Sequence, residues 1–239
     1  MTDAIFRAGL HGGDIVTLDE VIERHTKAAG GRRAIEAVHG LEIDFHLSET
    51  SFEADGVYRA ERLSRMRVDI FMDGARVFSE GFDGKQAWQL PRGEEHGSPG
   101  SPAGVRALLR GIEHQLYGLH ELGSRGHQLD LEGRESIEEL DYWVIKIVYA
   151  DGHTLWRYVN ATTWRIERGR EHKALHPDVD PTETIIETRF SDFRDVGAGL
   201  MRPFHETQVD LSTGRQLQAT SVRQIQINPE FAPGLFDRL

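Results

Sequence analysis

The chain has 239 residues, a length that suits one all-β domain or two small domains with a sizeable core. Its 39 acidic residues outnumber its 28 basic residues, and the formal charge of −11 argues against nucleic acid or an anionic membrane surface as a partner. Cysteine is absent, which excludes disulfide bonds, thiolate metal sites, a cysteine nucleophile and a lipidated N-terminal cysteine in this sequence.

A helix is predicted to begin directly after Thr17. Thr17 and Glu20 have the spacing of a capping box, and Val16 and Val21 occupy the positions of a hydrophobic staple. Apolar side chains then recur on one stripe as far as two adjacent glycines, which end the helix before a short second one. We expect the preceding residues, 1–16, to form a mobile N-terminal segment.

From residue 40 onward the apolar period changes from 3.6 to 2, which predicts β-strands. Asp-Gly pairs accept positive φ and close tight hairpins, and such pairs occur at residues 55–56, 73–74, 83–84 and 151–152. We therefore predict a turn at each of the four pairs. The segment GFDGKQAWQL is predicted to form a strand, a turn and a strand, with Phe82 and Trp88 on the two strands.

A second substantial helix is predicted over residues 102–122. It follows a polar loop rich in glycine, proline and serine, with Ser101 at the N-cap, Pro102 at the first helical position and an apolar stripe beyond. Strands resume near residue 127 and continue to residue 227, interrupted by a polar excursion at residues 172–181. The whole chain therefore predicts one domain of about eleven strands and two substantial helices.

Five segments, taken in their order and spacing, carry a resemblance to a known family. They are VIERHTKAAGGRRAIEAVHGLE (21–42), GFDGKQAWQ (81–89), YWVIKIVYADGHTLWRYVNATTWRIER (142–168), FSDFRDVGAGLMRPF (190–204) and INPEFAPGLFDRL (227–239). In these segments the chain resembles the bacterial outer-membrane lipoprotein-carrier and lipoprotein-sorting proteins, the Lol-type half-barrel superfamily. The resemblance implies a mainly β (α+β) fold, in which a strongly curved antiparallel sheet forms an incomplete β-barrel with helices packed on its concave side.

The resemblance further implies a non-enzymatic carrier or sorting protein whose cavity binds an apolar ligand, namely an acyl chain, a lipid or a lipoprotein. Twelve residues are predicted to bind that ligand: Phe45, Met66, Val68, Ile70, Met72, Phe82, Trp88, Leu109, Ile112, Leu116, Trp143 and Ile145. Phe82 and Trp88 are expected to wall the same hydrophobic interior. Two alternatives stay open, a hydrolase or isomerase that uses the same cavity and an interaction domain whose core is filled.

The polar residues do not form a motif typical of a metal or catalytic site. His172 and His176 are four residues apart, but they lie in a polar segment before a proline and no HExxH motif occurs. Asp192, Arg194 and Asp195 are neighbouring charges near a strand end, which is typical of a solvated rim. We therefore predict no catalytic residue, no metal and no cofactor.

The first residues of the sequence lack the basic and apolar regions of an export signal, and no apolar run is long enough to cross a membrane. Exported carriers are processed to remove such a signal, so the resemblance implies a periplasmic location for a processed chain. A cytoplasmic location is the alternative for the sequence as written. The predicted partners are apolar ligands or lipoprotein acyl chains, without nucleic acid and without an integral membrane segment.

Overall fold

One antiparallel sheet of 13 strands dominates the computed structural model, which describes residues 16–62, 64–176 and 180–239. The strand order is linear, so the sheet has two edges and does not close into a barrel. This confirms the predicted mainly β fold with an incomplete barrel, although the described ranges contain 13 strands where about eleven were expected. Of the segment predicted to be mobile, residues 1–15 lie outside the described ranges.

The described helices are α1 (Leu18–Ala28), α2 (Arg32–Glu36), α3 (Pro102–Leu116) and α4 (Leu119–Leu122). The strands of the first half are β1 (Gly40–Glu49), β2 (Glu53–Glu61), β3 (Arg65–Met72), β4 (Ala75–Phe82), β5 (Ala87–Pro91) and β6 (Ser98–Pro99). The strands of the second half are β7 (Gln128–Ile137), β8 (Leu140–Val148), β9 (Thr154–Asn160), β10 (Ile166–His176), β11 (Asp180–Asp195), β12 (Met201–Asp210) and β13 (Gln216–Ile227).

The chain builds this sheet as two meanders. Strands β1 to β6 follow one another outward to one edge, and strands β7 to β13 run from the other edge back to the middle. The meanders meet where β1 pairs with β13, with Leu41 opposite Ile227 and Glu49 opposite Gln218. The segment that carries α3 and α4 joins β6 to β7, so it connects the two outer edges of the sheet.

The apolar core lies between the helices and one face of the sheet, and it has two parts. In the first part, α2 and α3 pack on the first meander through residues such as Ile112 and Met66. In the second part, α1 and α4 pack on β8 and β9 through residues such as Val21 and Ile145. Because strands of both meanders bury side chains against one set of helices, the sheet curves around them, and this face is the concave face.

The predicted start and stop of α1 are confirmed. Thr17 is the N-cap, and its hydroxyl accepts a hydrogen bond from the N–H of Glu20 at 3.3 Å. Gly30 and Gly31 follow the helix with φ of 120° and 88°, values that suit glycine. A Cβ on Gly30 would lie 2.8 Å from the backbone oxygen of Gly199, so this glycine also lets two backbones approach closely.

The turn predicted at residues 55–56 is wrong. Both residues lie inside β2, where Gly56 pairs with Phe45 of β1. The Phe45 ring covers this glycine so closely that a Cβ would lie 2.2 Å from it. A neighbouring side chain, and not a turn, therefore requires the glycine. The pairs at 73–74 and 151–152 do form turns, as predicted.

The pair at 83–84 also lies in a turn, but the loop is longer than two residues. The Asp83 carboxylate accepts the N–H groups of Lys85 and Gln86, both at 2.7 Å, and Phe82 pairs with Ala87 across the loop. Since Trp88 follows Ala87 directly, Phe82 and Trp88 point to opposite faces of the sheet. The expectation that both rings wall one interior is therefore wrong.

Trp88 lies on the convex face, beneath the last residues of the chain. Its indole N–H donates to the C=O of Phe236 at 3.0 Å, and the Arg67 guanidinium donates to the C=O of Leu235 at 3.2 Å. The N–H of Gly97 donates to the C=O of Leu239 at 2.7 Å. The C-terminal residues thus cover the outside of the first meander, which explains why Trp88 is fully buried.

The helix predicted over residues 102–122 is two helices. It begins at the Ser101 N-cap as predicted, but it ends at Leu116 because Tyr117 is extended, with φ −119° and ψ 141°. The carboxylate of Glu121 accepts the N–H of Gly118 at 2.9 Å and so starts α4. The sequence did not predict this break, because the apolar stripe continues through it. The spacing of apolar residues does not change when a single residue is extended.

The polar excursion predicted at residues 172–181 is shorter than expected. Strand β10 runs to His176 and β11 begins at Asp180, while residues 177–179 lie outside the described ranges. His172 and Glu183, on these two strands, are exposed and form an ion pair at 3.0 Å. Exposed polar residues such as these interrupt the apolar alternation, so the sequence pattern does not mark this part of the strands.

Candidate functional site

A cavity of about 130 Å³ opens between the helices and the second half of the concave face. That volume is roughly ten times what one water molecule needs, so the cavity has room for part of an organic ligand. Most of its wall is apolar, and it is contributed by the four described α-helices and by strands of the second meander. Representative apolar residues are Ile35, Leu119, Leu122, Ile147, Phe190 and Leu200.

Arg157 brings a positive charge into this apolar wall. It lies in β9 on the concave face and is only 9% exposed. Its guanidinium crosses over Gly169 of β10, where a Cβ would lie 2.4 Å from Nη1, and sits 5.8 Å from the ring centre of Phe190. Its Nη2 donates to Nδ1 of His114 at 3.0 Å, so His114 carries its proton on Nε2. Glycine at position 169 therefore makes room for the arginine.

Two histidines on the cavity, both partly buried, are uncharged at neutral pH. Burial, reinforced by the charges of Arg157 and Arg202, holds the pKa of His114 well below its ordinary value. Burial also lowers the pKa of His25 to about 4, although the hydrogen bond between its Nδ1 and the C=O of Trp164, at 3.0 Å, acts in the opposite direction. Neither imidazole therefore adds positive charge to the cavity.

Arg202, at the start of β12, is a second arginine on the cavity and is partly buried. Its Nη2 donates to the C=O of Gln115 at 2.7 Å, while its Nε is buried and finds no acceptor within the described part of the chain. Burial lowers the pKa of Arg202 to about 10, so the side chain is still protonated at neutral pH. Because His114 and Gln115 are adjacent in α3, neighbouring residues of one helix hold both guanidinium groups.

Two glutamates lie on the same cavity in different electrostatic settings. Burial raises the pKa of Glu206, and the charges of Arg157 and Lys173 oppose this shift without cancelling it. Glu113, in contrast, forms ion pairs with Arg125 at 2.7 Å and with His127 at 2.8 Å. Its charge is therefore already neutralised by partners of its own.

The twelve residues predicted to bind a ligand lie mainly in the packed core. Seven belong to its first part: Phe45, Met66, Val68, Phe82, Leu109, Ile112 and Leu116. Trp143 and Ile145 belong to the second part, Trp88 lies on the convex face, Ile70 is partly buried and Met72 is 38% exposed. None of the twelve is among the residues lining the cavity described above, so their part in ligand binding stays a prediction.

The polar residues that line the cavity were not predicted from the sequence, although the sequence contains one indication of them. Arg157 occupies an inward position of an alternating strand, two residues from Leu155 and two from Val159, which are both buried. A charged residue on an apolar face marks a buried polar site. Arg202 and Glu206 give no comparable signal, because β12 mixes polar and apolar residues on both faces.

Other polar groups considered from the sequence lie outside the cavity. Asp192 and Arg194 form an exposed ion pair at 2.5 Å, as expected for a solvated rim. The described residues include no group of three or more histidine, aspartate or glutamate side chains placed to hold a metal ion. Within the same ranges, no helix is both long and apolar enough to span a lipid bilayer.

Comparison with solved structures shows that the fold is shared with several bacterial proteins of known structure. A LolA superfamily protein from Nitrosomonas europaea aligns over 92% of this chain and 97% of its own, with 14% identity and a TM-score of 0.60. A DUF1329 family protein from Desulfovibrio piger covers the same shares of the two chains, with 8% identity and a TM-score of 0.61. The predicted likeness in fold to Lol-type proteins is confirmed.

A third similar structure is a domain named for outer-membrane lipoprotein sorting, from Vibrio parahaemolyticus. It covers 90% of this chain and 95% of its own, with 7% identity and a TM-score of 0.58. No protein-family model matches the sequence, and no curated protein matches it either. At these identities the likeness concerns the fold, which hosts more than one function.

Proposed function

We propose that this protein is a non-enzymatic carrier that binds the acyl chain of a lipid or lipoprotein in the cavity between its helices and the concave face. The observation that carries the proposal is the cavity itself, with its largely apolar wall. Concave sites with apolar walls and a few polar groups are typical of small-molecule binding. The names of the similar structures, which refer to lipoprotein sorting and to LolA, support a lipid ligand and a periplasmic location.

The walls of the cavity favour a flexible chain over a flat, rigid ligand. Aliphatic side chains from the helices, such as Leu119 and Leu122, face Ile147 and the ring of Phe190 across the space. An alkyl chain that displaces water from such walls gains roughly 0.8 kcal/mol for each methylene group buried. A chain with only a few buried methylene groups would therefore reach measurable affinity.

Filling the cavity tests this proposal. Ala28 lies at the end of α1 and lines the cavity, so Ala28→Trp places a large ring in the space that the chain would occupy. We expect titration with a fluorescent fatty-acid probe to show saturable binding to the wild type and at least tenfold weaker binding to Ala28→Trp. Ala103→Trp, on an exposed position of α3, is the matched control and should bind as the wild type does.

The outcome separates the three functions considered. Saturable binding that Ala28→Trp abolishes and Ala103→Trp preserves supports a carrier. If the folded wild type binds no alkyl probe and yields no lipid in native mass spectrometry, the cavity is part of a filled interaction domain and the proposal fails. Conversion of a bound ester or lipid during incubation would instead identify an enzyme.

A further inference from the structure

We infer that the ligand is an amphiphile with an anionic head, a carboxylate or a phosphate ester, and that Arg157 and Arg202 bind this head inside the cavity. The inference rests on the proposed function and adds the chemical class of the ligand to it. It starts from two arginines, the buried Arg157 and the partly buried Arg202, that line an apolar cavity and have no acidic partner among the described residues.

Each guanidinium is held in place by a neutral group. Nη2 of Arg157 donates one hydrogen bond to the imidazole of His114, and Nη2 of Arg202 donates one to the C=O of Gln115. A guanidinium has five N–H donors, so each arginine keeps donors for another acceptor. Nε of Arg202 is such a donor, buried and without a partner in the described chain.

Burial without a carboxylate is an unusual state for an arginine. A buried charge is normally paired, since removing it from water is costly and only an opposite charge or several hydrogen bonds offset that cost. Arg168, a buried arginine elsewhere in this sheet, is paired in this way, with Glu187 at 2.9 Å. The two cavity arginines depart from this pairing where the chain leaves space for a ligand.

The acidic groups near the cavity do not cancel these charges. Glu113 is already paired with Arg125 and His127, and Glu171 with His153 at 2.9 Å. Glu206 remains, and it forms no ion pair within the described ranges. Even a fully ionised Glu206 would balance only one arginine.

A third arginine on the lining increases the excess of positive charge. Arg165 lies 5.1 Å from the ring centre of Phe193, and both residues face the cavity. The neutral His25 and His114 add no charge of either sign. The cavity therefore combines an apolar wall with a positive surplus, which matches an alkyl chain that ends in an anion.

Three ligands with the same twelve-carbon chain test the inference: dodecanoate, dodecyl phosphate and dodecanol. Displacement of the fluorescent fatty-acid probe, at concentrations below micelle formation, gives their dissociation constants. We expect at least one anion to bind tenfold or more tightly than the neutral alcohol, as one charge-assisted hydrogen bond would provide. The ratio between dodecanoate and dodecyl phosphate then identifies which anionic head the cavity prefers.

Substitution of the arginines completes the test. In Arg202→Met and in Arg157→Gln the preference for the anion should fall to threefold or less, because affinity for the anions falls more than affinity for dodecanol. Arg202→Lys retains a charge and should restore part of the preference. Arg223→Met, which removes an exposed arginine paired with Asp55, should keep the wild-type ratio.

The failure of this inference is distinct from failure of the proposed function. If dodecanol binds as tightly as both anions in the wild type, the cavity takes apolar chains and the arginines recognise no anionic head. If none of the three binds, the carrier function itself is refuted. If one arginine variant does not fold, the inference is still tested by the other variant and by the affinities of the wild type for the two anions and dodecanol.

Discussion

Replacing Arg62 is expected to destabilise the protein more than any surface arginine, because this side chain connects three helices to the sheet. Its guanidinium donates to the C=O groups of Ile35 and Leu116, both at 2.9 Å, and of Val38 at 2.5 Å. It also forms an ion pair with Glu121 at 2.6 Å. The C=O of Leu116 is at the end of α3, where no intrahelical N–H can reach it, while the C=O of Ile35 also accepts the N–H of Val38 at 3.1 Å.

The same side chain stabilises the extended residue between α3 and α4. The Arg62 guanidinium lies 4.3 Å from the ring centre of Tyr117, and that of Arg125 lies 3.7 Å from it. The Tyr117 hydroxyl in turn donates to the C=O of Arg62 at 2.9 Å. Tyr117 lines the cavity, so Arg62 positions part of the binding wall as well as the helix ends.

The magnitude follows from what the change leaves behind. Arg62→Met removes the hydrogen bonds to three carbonyls and the ion pair with one carboxylate, in a site where the arginine side chain is 18% exposed. Breaking a largely buried pair costs about 3 to 5 kcal/mol. That is a large share of the roughly 5 to 15 kcal/mol typical of a whole domain. Arg62→Lys keeps the charge and one or two hydrogen bonds, so its cost should be about half as large.

Urea denaturation followed by tryptophan fluorescence measures these differences. Arg223→Met, which removes an exposed charge, is the control and should unfold at the wild-type urea concentration. If Arg62→Met changes the free energy of unfolding no more than this control does, the helix ends do not depend on the arginine. Equal losses for Arg62→Met and Arg62→Lys would show that a positive charge alone restores no stability, which would contradict the smaller cost expected for the lysine variant.

Two further predictions concern the sheet and the partly buried histidines. Gly56→Ala should cost about 1 to 3 kcal/mol of stability, because its Cβ would meet the Phe45 ring, and Phe45→Leu should recover part of that loss in the double variant. Gly123→Ala, whose Cβ would meet nothing within 4 Å, is the control for urea denaturation, and an equal effect of both glycine changes would contradict the reasoning. The pKa of His25 is about 4 when folded and 6.5 in its ordinary state, so the unfolded chain binds a proton first as the pH falls. Stability should therefore decrease between pH 6.5 and 4, by up to about 3 kcal/mol from this group, and less steeply in His25→Asn. Parallel pH curves for the two proteins would refute this.

The elements with a strong local signal could be predicted from the sequence. The N-cap at Thr17 and the turns at 73–74 and 151–152 depend on interactions within a few residues, and the structure confirms them. The role of Gly56 could not be predicted from its sequence neighbours, because the residue that requires a glycine there is Phe45 on the neighbouring strand. The break at Tyr117 likewise depends on Arg62, which is distant in sequence.

The candidate site was harder to predict than the fold. Apolar alternation identifies the inward positions of strands, but it does not distinguish a packed interior from a cavity, and residues such as Met66 and Ile112 belong to the packed core. Arg157 and Arg202 contact neighbouring residues of α3, His114 and Gln115, and sequence spacing does not encode these two contacts. A search for charged residues at inward positions would have found Arg157.

The pairing of β1 with β13 has a consequence for how the chain folds as it is synthesised. Each meander consists of neighbouring strands that can pair soon after they emerge, but β1 must wait for residues 216–227 before its second edge is covered. At ordinary translation rates this interval is on the order of ten seconds or more. During that time an open strand edge is available to other chains. The contact that completes the sheet is also its most distant one in sequence, so we expect its formation to limit the folding rate.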